Sequence, residues 1–120
     1  MKLKNVLIVV RNMQRSRSFY QQLFGLQIVL DQETTVIMTE GLVLQEQESW
    51  EEALDRACIP RHHMAELYFE EADIDAFLQK LKEYPEPVEY AHECRTYSWG
   101  KRVIRLYDPD GNLIEVGTPG

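Results

Sequence analysis

The alternation of hydrophobic and polar positions along this chain changes period several times, and the changes occur twice in the same order. Residues 5–10, NVLIVV, form a short β-branched run of the kind a buried strand uses. From about Gln14 to Phe24 the spacing turns helical, with Phe19, Tyr20, Leu23 and Phe24 on one face. Gly25 supplies the stop, because a glycine easily takes the left-handed conformation that ends a helix. Three short strands are predicted next, over Leu26–Leu30, Thr34–Met38 and Leu42–Gln45, with turns at Asp31-Gln32-Glu33 and Glu40-Gly41.

Residues 46–63, EQESWEEALDRACIPRHH, interrupt the pattern; they are polar and helical in places, with Pro60 ending any helix. The first order then returns. Glu66 to Glu70 alternates polar and apolar, as a half-buried strand does. A helix over Ile74–Leu81 starts from an Asp73 cap and is stopped before Pro85 and Pro87. Strands are expected at Val88–Glu93, Arg102–Tyr107 and Leu113–Val116, the last two joined by the hairpin signal Asp110-Gly111. The chain therefore predicts an α+β fold of two βαβββ modules in one domain spanning residues 1–120. Module one covers about 1–46, the linker about 47–63 and module two about 64–120. A nucleotide-binding doubly wound sheet is excluded, since it needs regular strand–helix alternation and a glycine-rich phosphate loop.

Composition narrows the partners. With 44% hydrophobic and 28% charged residues in 120, the chain can bury a core without staples. Twenty acidic against thirteen basic residues, a net charge of -7, disfavour nucleic acid, whose phosphates demand a basic stripe. The apolar run Val6–Val10 is far short of the roughly 20 residues a membrane helix needs, so no membrane partner is expected. No secretory leader pattern is visible. Cys58 and Cys94 stand in no metal-like spacing and read as two reduced thiols. A cytoplasmic protein with a small-molecule ligand or substrate is the expectation.

Three stretches carry a family resemblance: RSRSFYQQLFGLQIV at 15–29, AELYFEEADIDAFLQKL at 65–81 and RLYDPDGNLIEVG at 105–117. The first resembles a helix ending in F-Y-x-x-x-x-G, and the last a closing D-P-D-G-x-x-I-E hairpin. Together they resemble the vicinal-oxygen-chelate superfamily of glyoxalases, bleomycin-resistance proteins and extradiol dioxygenases. The resemblance implies mixed sheets that curl around a cavity, and a homodimer whose modules pair within a chain or swap between chains. It also implies an open divalent-metal site that stabilises an enediolate or oxyanion. The first and last strands of each module would supply one ligand apiece.

Carried over residue by residue, the ligand slots fall on Asn5, Gln45, Glu66 and Glu115. None is the histidine usual in this family. An all-oxygen set of two amides and two carboxylates suits magnesium or manganese better than nickel or zinc, and holds any of them weakly. Without a metal, Glu66 and Glu115 form a polar floor, satisfying each other through water or a proton. One of them could then act as a general base beside a carbonyl. Glu66 shares its face with Tyr68 and Glu70, while Ile114 and Val116 beside Glu115 should point at the helices. A slip of three residues would put His63, beside His62, in the slot given to Glu66.

Substrate contacts are expected from His92, Tyr97, Trp99, Arg102 and the linker residue Trp50. In the basic and aromatic segment ECRTYSWGKR and the strand after it, Arg95, Lys101, Arg102 and Arg105 could orient an anion. Strand alternation allows at most one of Arg102 and Arg105 to face inward. Besides a purely structural or regulatory role, two functions remain open. One is a glyoxalase-like lyase or isomerase acting on a small carbonyl compound, with Glu115 and Glu66 as catalytic pair. The other is a metal-free drug- or small-molecule-binding protein of the bleomycin-resistance sort, lined by Trp50, Tyr97 and Trp99.

Overall fold

A computed structural model describes residues 1–119. It divides into two compact units, Met1–Ile59 and Pro60–Gly120. The first contains β1 (Val6–Val10), α1 (Met13–Phe24), β2 (Ile28–Asp31), β3 (Thr35–Met38), β4 (Leu42–Glu46) and α2 (Gln47–Leu54). The second contains β5 (Glu66–Glu70), α3 (Ile74–Glu83), β6 (Glu89–Thr96), β7 (Arg102–Tyr107) and β8 (Leu113–Gly117). Both sheets are four-stranded and mixed, ordered β1-β4-β3-β2 and β5-β8-β7-β6. In each, the first strand pairs parallel with the last and the remaining pairings are antiparallel. This is the doubled βαβββ, α+β fold anticipated from the sequence, with neither sheet closed into a barrel.

Local chemistry sets the element ends. The Asn12 side chain caps α1 by accepting from the Arg15 amide at 3.0 Å, which starts the helix at Met13. At the other end Gly25 is left-handed (φ 68°), and Leu26 spends its N–H on the Tyr20 carbonyl. Leu26 therefore belongs to the helix cap, and β2 begins at Ile28 instead of the anticipated Leu26. Helix α2 stops at the left-handed Asp55 (φ 59°), well before Pro60, so that proline is not what ends it. Asp73 caps α3 through the Ala76 amide at 3.0 Å. Strand β6 runs to Thr96, past the anticipated Glu93. It keeps pairing with β7 by shifting register between Tyr90 and His92 and again between His92 and Arg95.

The β7–β8 hairpin is tied by buried Asp108. Its carboxylate accepts from the Asp110 and Asn112 amides and from the Asn112 side chain, at 2.8–2.9 Å. Gly111 takes φ 87°, and a Cβ there would lie 2.5 Å from Arg61 Cγ.

Alternation then separates two faces on each sheet. In the first unit Val10, Val36, Met38 and Leu44 are buried, as are Tyr20 and Leu23 of α1, which packs on β4. In the second, Ile104, Leu106, Ile114 and Val116 are buried together with Ile74, Phe77 and Leu81 of α3. Burying each such side chain is worth about 1.5–3 kcal/mol. The opposite faces are where the two units part company.

Candidate functional site

Strand pairing lays residues out in rows across a sheet, and one row of the second unit gathers the polar chemistry. Tyr68 on β5 pairs with Glu115 on β8, Glu115 with Arg105 on β7, and Arg105 with His92 on β6. Paired residues point to the same face, so these four side chains stand side by side, away from buried Ile114 and Val116. Glu66 lies on that face one pleat repeat from Tyr68.

Arg105 is the hub. Its Nε donates to Glu66 Oε1 at 3.3 Å, one terminal nitrogen bonds His92 Nε2 at 3.0 Å, and the other forms a short ion pair with Glu115 Oε1. The Glu115 side chain is 12% exposed, against 30% for Arg105 and 35% for Glu66. His92 Nδ1 lies 2.8 Å from the Glu93 carbonyl. A carbonyl only accepts, so Nδ1 carries the hydrogen and Nε2 presents its lone pair to the guanidinium. Burial works against the charge of Arg105, but hydrogen bonding to Tyr97, the charge of Glu115 and the hydrogen bonds to Glu66 and Glu115 outweigh it and hold the pKa above the ordinary arginine value.

Beside the hub, Lys101 Nζ donates to the Tyr68 hydroxyl at 3.0 Å and sits 5.2 Å from its ring. The Tyr68 hydrogen bond, offset in part by desolvation, raises the Lys101 pKa. Gly117 leaves room for this pair: a Cβ there would meet the Tyr68 hydroxyl at 3.1 Å and Lys101 Cε at 3.2 Å. Tyr97 stacks on Trp99 with ring centroids 5.6 Å apart, and Trp99 is 68% exposed.

The other anticipated residues stand as follows. Arg102 lies on the helix side of β7, ion-paired with Asp75 of α3 at 2.9 Å. Arg105 is thus the arginine that joins the carboxylates, and Arg102 is not. The sequence did carry a signal for it, because Arg105 and Glu115 lie equally far from Asp110 at the hairpin turn. His63 precedes β5 and stacks on Tyr107 at 5.5 Å, so the three-residue slip that would put it at the position of Glu66 does not occur. The carboxylates do not satisfy each other through a proton; Arg105 lies between them.

Trp50 is half-buried on α2 of the first unit. Asn5 is exposed ahead of β1, and Gln45 donates to the Ser49 hydroxyl at 3.3 Å. Asn5 and Glu66 each lie seven residues before a helix cap, Asn12 and Asp73. Two residues on, Leu7 pairs with Val43 as Tyr68 pairs with Glu115. By register the first-unit counterpart of Glu115 is therefore Val43, and Gln45 sits one pleat repeat beyond it on the same face.

This duplicated topology, with a carboxylate on its closing strand, can be compared with known proteins. The profile of the glyoxalase-like domain family matches residues 3–119. The chain belongs to that family. Among solved structures, a protein of unknown function from Agrobacterium tumefaciens is 36% identical, with a TM-score of 0.86 and coverage of 100% of this chain and 95% of that one. A lactoylglutathione lyase from Agrobacterium tumefaciens is 24% identical (TM-score 0.72, coverage 98% and 92%). The genomically encoded fosfomycin resistance protein FosX from Listeria monocytogenes is 17% identical (TM-score 0.78, coverage 100% and 94%). At those identities the last two share the fold with this chain. No curated protein sequence matches it significantly.

The family match places the chain in the vicinal-oxygen-chelate superfamily, whose members bind small-molecule substrates, often use divalent metals and often form dimers. Such a metal does not fit the donors of the second unit as they stand. Glu66 and Glu115 are both engaged by a guanidinium, whose fixed positive charge opposes a second cation. Among the described residues, no group of three or more His, Cys, Asp or Glu side chains is placed to hold a metal. No helix among them is long and apolar enough to cross a membrane.

Proposed function

We propose that this chain is a metal-independent glyoxalase-like lyase or isomerase, acting on a small carbonyl compound at the polar face of the second sheet. The observation that supports it is the ion cluster itself: Arg105 supplies beside Glu115 the positive charge that a metal would otherwise supply. In this reading Glu115 takes a proton from a hydroxyl-bearing carbon next to the carbonyl. The electron pair moves to the carbonyl oxygen, giving an enediolate that the Arg105 guanidinium and the Lys101–Tyr68 pair stabilise. The hydroxyl proton passes to the former carbonyl oxygen and Glu115 returns its proton to the former carbonyl carbon, which completes an isomerisation with nothing gained or lost. Glu66 holds Arg105 from the far side. A cytoplasmic homodimer belongs to the same reading.

A second reading is favoured by one observation, the stacked Tyr97–Trp99 pair with Trp99 open to solvent. Such a platform suits capture of a flat or cationic ligand without chemistry, as a drug-binding protein would use it.

The discriminating experiment follows α-ketoaldehydes and their thiol adducts with the wild type and Glu115→Gln, in the presence of a chelator. Turnover that persists with chelator and falls by about 100-fold or more in Glu115→Gln supports the enzyme. No turnover, together with saturable quenching of Trp99 emission by a ligand, assigns the chain to binding instead.

A further inference from the structure

Three lone-pair donors of the type that bind metals converge on Arg105: Glu66 Oε1, His92 Nε2 and Glu115 Oε1. Each meets a different nitrogen of the guanidinium. His92 is already in the tautomer a ligating imidazole needs, its Nδ1–H held by the Glu93 carbonyl and its Nε2 lone pair forward. His92 and Glu115 flank position 105 as its paired neighbours on either side, where facing Cβ atoms stand about 4.5–5.5 Å apart.

We propose that Arg105 is the resident cation of this site: its side chain fills the space between three latent metal ligands, and thereby shuts the second sheet to divalent metals. The proposal rests on the metal-independent reading above. Arginine is suited to the role because its planar fork offers several donors at fixed angles and does not lose its proton. The fork is also wide. It spreads its acceptors beyond the ~2.0–2.6 Å reach of a metal shell, which accounts for the lack of a metal-holding triad among the described residues. Truncating it would leave one imidazole and two carboxylates facing a vacated space on a rigid sheet. That donor set suits manganese, cobalt or zinc.

The test titrates Mn²⁺ calorimetrically and Co²⁺ by visible absorption. It uses the wild type, Arg105→Ala, Arg105→Lys and the double variant Arg105→Ala/Glu115→Gln, with folding checked by circular dichroism. Arg105→Ala should gain a stoichiometric site at least about tenfold tighter than any wild-type binding, with a Co²⁺ ligand-field band. The band should be absent from Arg105→Lys, which keeps the charge, and lost from the double variant. Should Arg105→Ala not fold, Arg105→Gln carries the same test, since it removes the charge but keeps a polar side chain. Glu115-dependent metal binding by the wild type would overturn the proposal and the metal-independent reading together. A folded Arg105→Ala or Arg105→Gln that binds no tighter than the wild type would overturn the proposal alone. Loss or persistence of turnover on carbonyl substrates bears only on the function proposed above.

Discussion

The two units share strand order, pairing sense and helix caps, yet their equivalent rows carry opposite chemistry. Across the first sheet the row reads Leu7, Val43, Ile37, Leu30. Across the second it reads Tyr68, Glu115, Arg105, His92. Backbone hydrogen bonds fix the spacing of both rows, so the difference lies wholly in the side chains. A scaffold used twice holds charge in one copy only, because there each charge has a partner in the next strand. What distinguishes the two units is therefore the row and not the fold they share.

The sharpest way to break that comparison is to move the chemistry. Val43 is 5% exposed in its aliphatic row, so Val43→Glu introduces a buried carboxylate with no cation. It should cost about 3–5 kcal/mol, read as a lowered urea midpoint. Adding Ile37→Arg, which faces Val43 as Arg105 faces Glu115, should recover part of that loss. A double variant no better than the single would show that pairing alone does not explain the charged row.

A smaller effect is expected from truncating the equivalent centres of the two rows. Arg105→Ala leaves Glu115 and Glu66 uncompensated and should cost about 2–3 kcal/mol near neutral pH, discounted for partial exposure. The deficit should shrink as salt is added, since screening weakens both the lost attraction and the repulsion left behind. Ile37 is half-buried, and Ile37→Ala removes packing only, about 1–2 kcal/mol, equally at every salt concentration. Matching salt dependences for the two variants would contradict the assignment of Arg105 as counter-ion.

The smallest effect separates two carboxylates, one per unit. Arg61 holds Glu89 below its ordinary value of 4.5, chiefly through bonds of 2.6 and 3.0 Å. Glu51 is held below 4.5 by neutral donors, the Cys58 amide at 2.6 Å and then the Gln47 side chain. A lowered folded-state pKa stabilises the protein above the unfolded value, and that contribution disappears as pH falls through the folded one. Glu89→Gln and Glu51→Gln should therefore each lower the melting temperature at neutral pH and converge on the wild type in acid. Salt should erase only the Glu89 difference, since screening acts on an ion pair more than on a neutral hydrogen bond. Equal salt sensitivity would refute this distinction.

Much of this was legible before any coordinates. Period changes, Gly25, Asp73 and Asp110-Gly111 located eight strands and the α1 and α3 helices, because caps and turns are decided by neighbours within a few residues. Boundaries slipped where a backbone group had a competing partner. Leu26 was drawn into the helix cap, and β6 was carried to Thr96 by its bulges. Glu66 and Glu115 were readable from strand parity and family resemblance. Their shared partner Arg105 was readable only as an alternative to Arg102, and His92 had no visible reason to stand beside it.

The amino-acid sequence by itself determined the doubled βαβββ order, the family, the acidic face of the second unit and the lack of histidine in the anticipated slots. These follow from local periodicity and from short motifs. Only the tertiary structure decided that Arg105 holds both carboxylates, that His92 turns its lone pair to the same guanidinium, and that Val43 stands where Glu115 stands in the other unit. Each of these depends on register between strands distant in the chain. A single-residue shift in that register would exchange every facing side chain.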